Sequence, residues 1–222
     1  MDVEIDGAGQ PKYTIAMPVA WDYLEWNDSL AALAKRAAAV CLGTLAQRTK
    51  QNRDLVAAFV ANTSEDCLAI CDINFRRPFL TDELILDSLR SCDWLKANEE
   101  EAEYIAKLIP GELHEGQSRS ERLLSPLMAS ILSDRVLCAI TRGANGCIVG
   151  SSNVTVELAG IPIQVADTVG AGDAFTAALL TQHLEGKPLE QAARFANAYA
   201  AIVSSKRGGT PIVTREEVER LL

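Results

Sequence analysis

Histidine is scarce in this 222-residue chain, which holds only His114 and His183. Neither has a second metal ligand at helical spacing, which argues against zinc chemistry and Ser-His-Asp catalysis. A basic excess is lacking too, since 21 Lys and Arg against 30 Asp and Glu leave a net charge of −9 at pH 7. That balance weighs against broad binding to nucleic acid or to anionic membranes, which want a basic face, although a local basic pocket for phosphate is compatible with it. No run approaches the roughly 18 apolar residues of a membrane span. The start, Met1-Asp2-Val3-Glu4, is acidic and has no apolar signal region. We therefore expect neither nucleic acid nor membrane as a partner. Cys41, Cys67, Cys71, Cys92, Cys138 and Cys147 form no C-x-x-C pair. Most lie in apolar runs such as Val136-Leu137-Cys138-Ala139-Ile140, which predicts buried, reduced thiols and a cytoplasmic location. No G-x-G-x-x-G follows an early strand and no G-x-x-x-x-G-K-[ST] occurs, so dinucleotide and Walker-type sites lose ground.

What is present reads as one large domain, or one with a small appendage. With 48% hydrophobic and 23% charged residues, the chain is globular and long enough to bury about 70% of its unfolded surface. Residues 3–16 alternate loosely and turn at Gly7-Ala8-Gly9-Gln10-Pro11, a hairpin signal. From Asp28 a helical period runs to about Ala39, followed by a short strand, Val40 to Gly43. The alternation then repeats: helix 50–62, strand Leu68–Asp72, helix 82–90, strand Trp94–Ala97, helix 99–108. It predicts a mostly parallel sheet with helices on its faces. After a loop at 110–117 come a helix near 120–132 and a strand, 135–141. Asn145-Gly146 before Cys147-Ile148-Val149 marks a hairpin. One or two short strands near 154–166, Ala-rich helices at 171–185 and 188–206, and a capping box at Thr214-Arg215-Glu216-Glu217 complete the chain.

The sharpest motif is Asp167-Thr168-Val169-Gly170-Ala171-Gly172-Asp173-Ala174-Phe175. Here a strand end meets two glycines, an acid and a helix. Glycines let backbone N–H groups face open space at a helix N-terminus, where the macrodipole also favours an anion. An aspartate there is awkward for an anion unless it takes a proton from an attacking hydroxyl. The plainer reading makes Asp173 a complement to the helix dipole and the glycines an aid to close packing.

Weaker motifs gather around it. Asn98-Glu99-Glu100-Glu101 follows a strand at the edge where open α/β sheets place ligands. Asn98 and Glu101 suit the water shell of Mg²⁺, or form an ordinary capping arrangement. Asp72-Ile73-Asn74-Phe75-Arg76-Arg77-Pro78 suits sugar hydroxyls or a phosphoryl group, or is a solvated loop. Thr141-Arg142-Gly143-Ala144-Asn145-Gly146 lies against a nucleotide or is a plain hairpin. Asn197-Ala198-Tyr199-Ala200-Ala201 borders an adenine or packs as an Ala-rich helix.

Together, in this chain order, Asn98-x-x-Glu101, Thr141-Arg142-Gly143, Asp167 to Asp173, the Asn197 helix and Gly208-Gly209 resemble the ribokinase-like (PfkB) carbohydrate kinase family. Ala20-Trp21-Asp22, Gly43 to Arg48 and Asp72-x-Asn74-x-Arg76 look most like its fructokinase-type branch. The resemblance implies a three-layer α/β/α fold with a mostly parallel sheet and a small β lid. It implies Asp173 as catalytic base and Gly170, Ala171 and Gly172 as an anion hole. ATP would lie along Asn98, Glu101, Thr141, Arg142, Gly143, Gly146, Gly172 and Asn197. Mg²⁺ would be met through water at Asn98 and Glu101, and the sugar by Asn74, Arg76 and Asp173. A monovalent cation, K⁺, would sit at Asp167 and Val169 with carbonyls near Val203 to Gly208, although Ile212 replaces a residue that is often polar.

Family members usually begin with further strand and helix units, including an early sugar-binding Asp and a Gly-Gly-x-x-x-Asn run, and this sequence has neither. We therefore expect a partial lid hairpin at 1–16 and an α/β kinase core at 17–222, truncated at the front, with half of the sugar pocket missing. A bared sheet edge would favour a homo-oligomer. The expected activity is ATP-dependent phosphorylation of a sugar hydroxyl. The alternatives are a nucleoside kinase of the same family and a non-catalytic chain that keeps nucleotide or subunit contacts.

Overall fold

The structure, a computed structural model, describes residues 2–5, 11–109 and 118–222. Strands β1 (Asp2–Ile5) and β2 (Pro11–Thr14) pair antiparallel as the expected hairpin. Its tip and the 110–117 loop lie outside the described residues. Helix α1 (Asp28–Ala34) is shorter than the period suggests, because Ala39 already starts the edge strand β3 (Ala39–Gly43). Then follow α2 (Lys50–Ala61), β4 (Leu68–Asp72), α3 (Asp82–Arg90), β5 (Trp94–Asn98), α4 (Glu99–Leu108) and α5 (Arg119–Ala129). Strands β6 (Leu137–Thr141), β7 (Cys147–Ser151) and β8 (Thr155–Leu158) precede helices α6 (Ala171–Leu184), α7 (Leu189–Ser204) and α8 (Arg215–Glu219).

The six strands β3 to β8 stand in sequence order; β3 to β6 are parallel, and β7 and β8 turn antiparallel. Parallel strands need a crossover between them and both faces covered, and the strand compositions comply. One face presents Cys71, Leu95, Ala97, Cys138 and Ile140 to Ile85, Leu89, Ile105, Leu124 and Leu127 of α3, α4 and α5. The other presents Leu68, Ile70, Trp94, Leu137 and Ala139 to Phe175, Leu179, Ala193 and Ala196 of α6 and α7. The result is the α/β/α sandwich expected.

One local expectation needs correction, the burial of Cys41. Cys41 is exposed while the other five thiols are buried, because β3 is an edge strand. Strand β8 is one short strand of the one or two expected near 154–166; beyond it the amides of Ala166 and Asp167 both donate to the Ser204 carbonyl rather than to a ladder. His183 is exposed, yet one side of its ring packs edge-on against Trp94 at 4.7 Å, and this partial desolvation lowers its pKa. No helix among the described residues is long and apolar enough to cross a membrane.

Candidate functional site

The carboxyl ends of the central strands form one row on the face that α6 covers. Register places Gly43 beside Asp72, Asp72 beside Lys96, and Asn98 beside Thr141. The side-chain period of two turns Asp72 and Lys96 toward α6, as it turns Ile70, Trp94 and Ala139, while Asn98 and Thr141 end the neighbouring strands.

Helix α6 meets this row with its N-terminus. Side chains of Asn27, Thr49, Thr81, Asn98, Ser118 and Thr214 cap α1 to α5 and α8. No side chain caps α6, whose N-cap is Gly170 at φ 80° and ψ −6°. A side chain is barred at Gly170, because a Cβ would come within 2.0 Å of the Gly209 carbonyl oxygen. The turn therefore offers uncapped N–H groups at the positive end of a 14-residue helix. Asp173, exposed in the first turn, stands beside them.

Next to Asp173 opens a cleft of about 440 Å³ between the β3 edge and α6. Its lining is largely apolar, with Cys41, Leu42, Leu45, Ala177 and Leu180, and its polar groups are Asp72, Asn74, Asp173, Thr44 and Thr176. Asn74 has φ 44°, a left-handed conformation that Asn adopts more readily than most residues and that recurs at functional sites. Burial raises the pKa of Asp72, Lys96 opposes that rise, and Glu101 and Asp173 add to it.

The other expected residues fall into groups. Asn98 and Glu101 make the full capping box: Asn98 Oδ1 accepts from the Glu101 amide at 2.9 Å, and Glu101 Oε2 accepts from the Asn98 amide at 2.7 Å. Glu101 Oε1 also accepts from the Phe75 amide at 2.8 Å, so this buried carboxylate ties the 72–76 loop to α4. Residues 142–146 pack against 158–160, where a Cβ on Gly146 would strike the Leu158 carbonyl at 2.1 Å. The hairpin expected there forms, with a 3-10 turn at Gly143–Asn145. Asn197 Nδ2 donates to the Ala159 carbonyl at 2.9 Å, which brings α7 to the same segment. Gly143 (φ 54°) faces open space. Asp167 Oδ1 accepts from the Val169 amide and Oδ2 from the Gly208 amide, at 3.0 and 3.1 Å. Arg76 does not line the cleft; its guanidinium donates to the Phe75 carbonyl.

Arg142 is held by Glu157, Nη1 to Oε1 at 2.7 Å. Hydrogen bonds from Ser120 and then Arg142 lower the Glu157 pKa from 4.5. A carboxylate lowered on folding adds stability above its unfolded pKa and loses it as pH falls through the folded one. Glu157→Gln is therefore expected to cost stability at pH 7, and the cost should shrink as pH falls below about 4.5. Urea melts of both proteins at pH 7 and pH 3.5 check it; a cost that does not shrink would assign Glu157 a purely steric role.

Sequence reasoning missed Lys96 and Thr176. The signal for Lys96 was a lysine inside the apolar strand Trp94-Leu95-Lys96-Ala97; Thr176 left none.

The profile of pfkB family carbohydrate kinases matches residues 4–215. An uncharacterized sugar kinase of Pyrococcus horikoshii is 26% identical over 224 residues, covering 97% of this chain and 66% of the relative. Its solved structure in complex with ATP superposes with a TM-score of 0.76 at 24% identity, over 99% of this chain and 70% of that one. Fructokinase-2 of Oryza sativa is 28% identical over 193 residues, covering 81% of this chain and 54% of the relative. The structure of Arabidopsis thaliana ribokinase complexed with ribose and ATP gives a TM-score of 0.73 at 23% identity, over 99% of this chain and 67% of that one. At these identities the superpositions speak to the fold, and this chain spans about two thirds of the Pyrococcus relative and about half of the rice one. With 212 consecutive residues matched by one profile and the ribokinase-like fold present, the chain belongs to the pfkB family of carbohydrate kinases.

Proposed function

We propose that this chain transfers the γ-phosphoryl group of ATP to a sugar hydroxyl at the Gly170–Asp173 turn. One observation carries the reading: a carboxylate stands on the first turn of an uncapped helix, beside a cleft large enough for a monosaccharide. The acceptor would occupy that cleft, with Asn74 on its wall and Asp173 as the group that takes the hydroxyl proton. ATP would run from the turn across the row of Asn98 and Thr141 to Gly143 and Asn197. The Gly170–Gly172 amides would meet charge as it develops on the phosphoryl oxygens.

Magnesium, when bound, would offset charge on the phosphates. Both Glu101 oxygens already accept a backbone N–H, so a shared water shell fits Asn98 and Glu101 better than direct ligation. Asp167 and the Val169 carbonyl would line a monovalent-cation loop, read out by potassium dependence of turnover. The fructokinase-like runs at 43–48 and 72–76 favour a hexose. Self-association and a cytoplasmic location belong to the same reading.

Calorimetry with MgATP, followed by coupled detection of ADP with fructose, ribose and a nucleoside, tests it. Magnesium-dependent ATP binding and sugar-dependent ADP release are expected. A folded sample that binds no MgATP would overturn the reading.

A further inference from the structure

Lys96 lies in the centre of the sheet with 8% of its surface exposed. A buried ammonium is costly unless its three donors are met. Among the described residues its one hydrogen-bond partner is Asp72, 3.2 Å from each carboxylate oxygen. Asp72 Oδ2 in turn accepts from Thr176 Oγ1 at 3.3 Å, and that hydroxyl also lies 3.1 Å from the Gly172 carbonyl. The network thus leads from β4 and β5 directly into the first turn of α6. Lys96 Nζ reaches that turn itself, since a Cβ on Gly172 would sit 2.8 Å from it. The ammonium rests against the middle of the glycine turn with donor capacity to spare. Charge makes the placement informative, because Asp72, Glu101 and Asp173 bring three carboxylates to this end of the sheet. A triphosphate arriving there would be repelled without a fixed cation.

We propose that Lys96 is a catalytic residue: from beneath the Gly170–Gly172 turn it donates to an oxygen of the phosphoryl group in flight, with Asp72 and Thr176 as positioning residues. The inference rests on the phosphoryl-transfer reading above. In the step, the acceptor hydroxyl oxygen bonds to the γ-phosphorus as the bond from that phosphorus to the β,γ-bridging oxygen breaks. The broken bond's electron pair leaves on ADP, the hydroxyl proton passes to Asp173, and Lys96 keeps its proton throughout. An ammonium so placed stabilises the charge spread over the equatorial oxygens more than it stabilises bound ADP.

Lys96→Met tests this beside the double variant Lys96→Met/Asp72→Asn. The double variant removes both buried charges and so leaves none unpaired. Both should lose roughly 10²–10³ in kcat, the usual effect of removing one such donor. Affinity for MgADP should stay within about threefold, while affinity for MgADP with aluminium fluoride, which mimics the transferring phosphoryl, falls by the larger factor. A double variant with wild-type melting and a kcat within about threefold of wild type would overturn the assignment. So would an equal fall in both affinities at unchanged kcat, which marks uniform binding. A folded wild-type chain that binds neither MgADP nor its fluoride complex would overturn the phosphoryl-transfer reading itself, a result distinct from either.

Discussion

Asp173→Asn is expected to abolish phosphoryl transfer while sparing ATP affinity. The substitution keeps the shape of the side chain and leaves the uncapped amides of α6 in place, so the phosphate cradle survives. It removes the proton acceptor and one negative charge beside the phosphates, and ATP binding is expected to hold or tighten. General-base loss is worth roughly 10²–10⁴ in rate, about 3–5 kcal/mol of transition-state stabilisation. Were Asp173 only a complement to the helix dipole, the change would cost about 0.3–1 kcal/mol of stability and leave turnover nearly intact. Steady-state kinetics beside a melting curve separate the two. A kcat within about threefold of wild type would refute Asp173 as the base.

Gly170→Ala is expected to damage both fold and site. A left-handed alanine costs about 1–2 kcal/mol. Here the new Cβ would also meet the Gly209 carbonyl at 2.0 Å, and overpacking typically adds about 1–3 kcal/mol. For a chain of this size each kcal/mol lowers Tm by about 2–4 °C. Gly186 supplies the control: it has φ 74° with nothing within 4 Å of a Cβ, so Gly186→Ala carries only the left-handed cost. The Gly170 variant should melt lower than the Gly186 variant and lose MgATP affinity, which the Gly186 variant keeps. Equal melting of the two would mean that the 170–209 contact relaxes freely and that the turn is not held as described.

The sequence alone determined the features whose causes are local. Helix and strand alternate because side-chain period and capping residues act within a few positions, and Thr81, Asn98 and Thr214 start their helices where the pattern places them. The Gly170–Asp173 turn was legible for the same reason, since glycines, acid and helix start are contiguous. The Asn98-x-x-Glu101 box was legible too, but the further bond that Glu101 accepts from Phe75 was not, because it joins groups 26 residues apart.

Only the tertiary structure decided the long-range facts. The end of α1 was misjudged because the chain turns over residues 35–38 to enter β3 at Ala39, a strand whose partner lies in β4. Cys41 is exposed because β3 is an edge, and nothing in Val40-Cys41-Leu42 distinguishes an edge strand from a central one. Lys96 reads in sequence as an oddity in an apolar strand. Its meaning comes from the register that sets it beside Asp72 and from the packing of α6 that lays Gly172 over its ammonium. Period and turn chemistry are properties of neighbouring residues, whereas register, edge position and the approach of one layer to another are settled by contacts between distant ones.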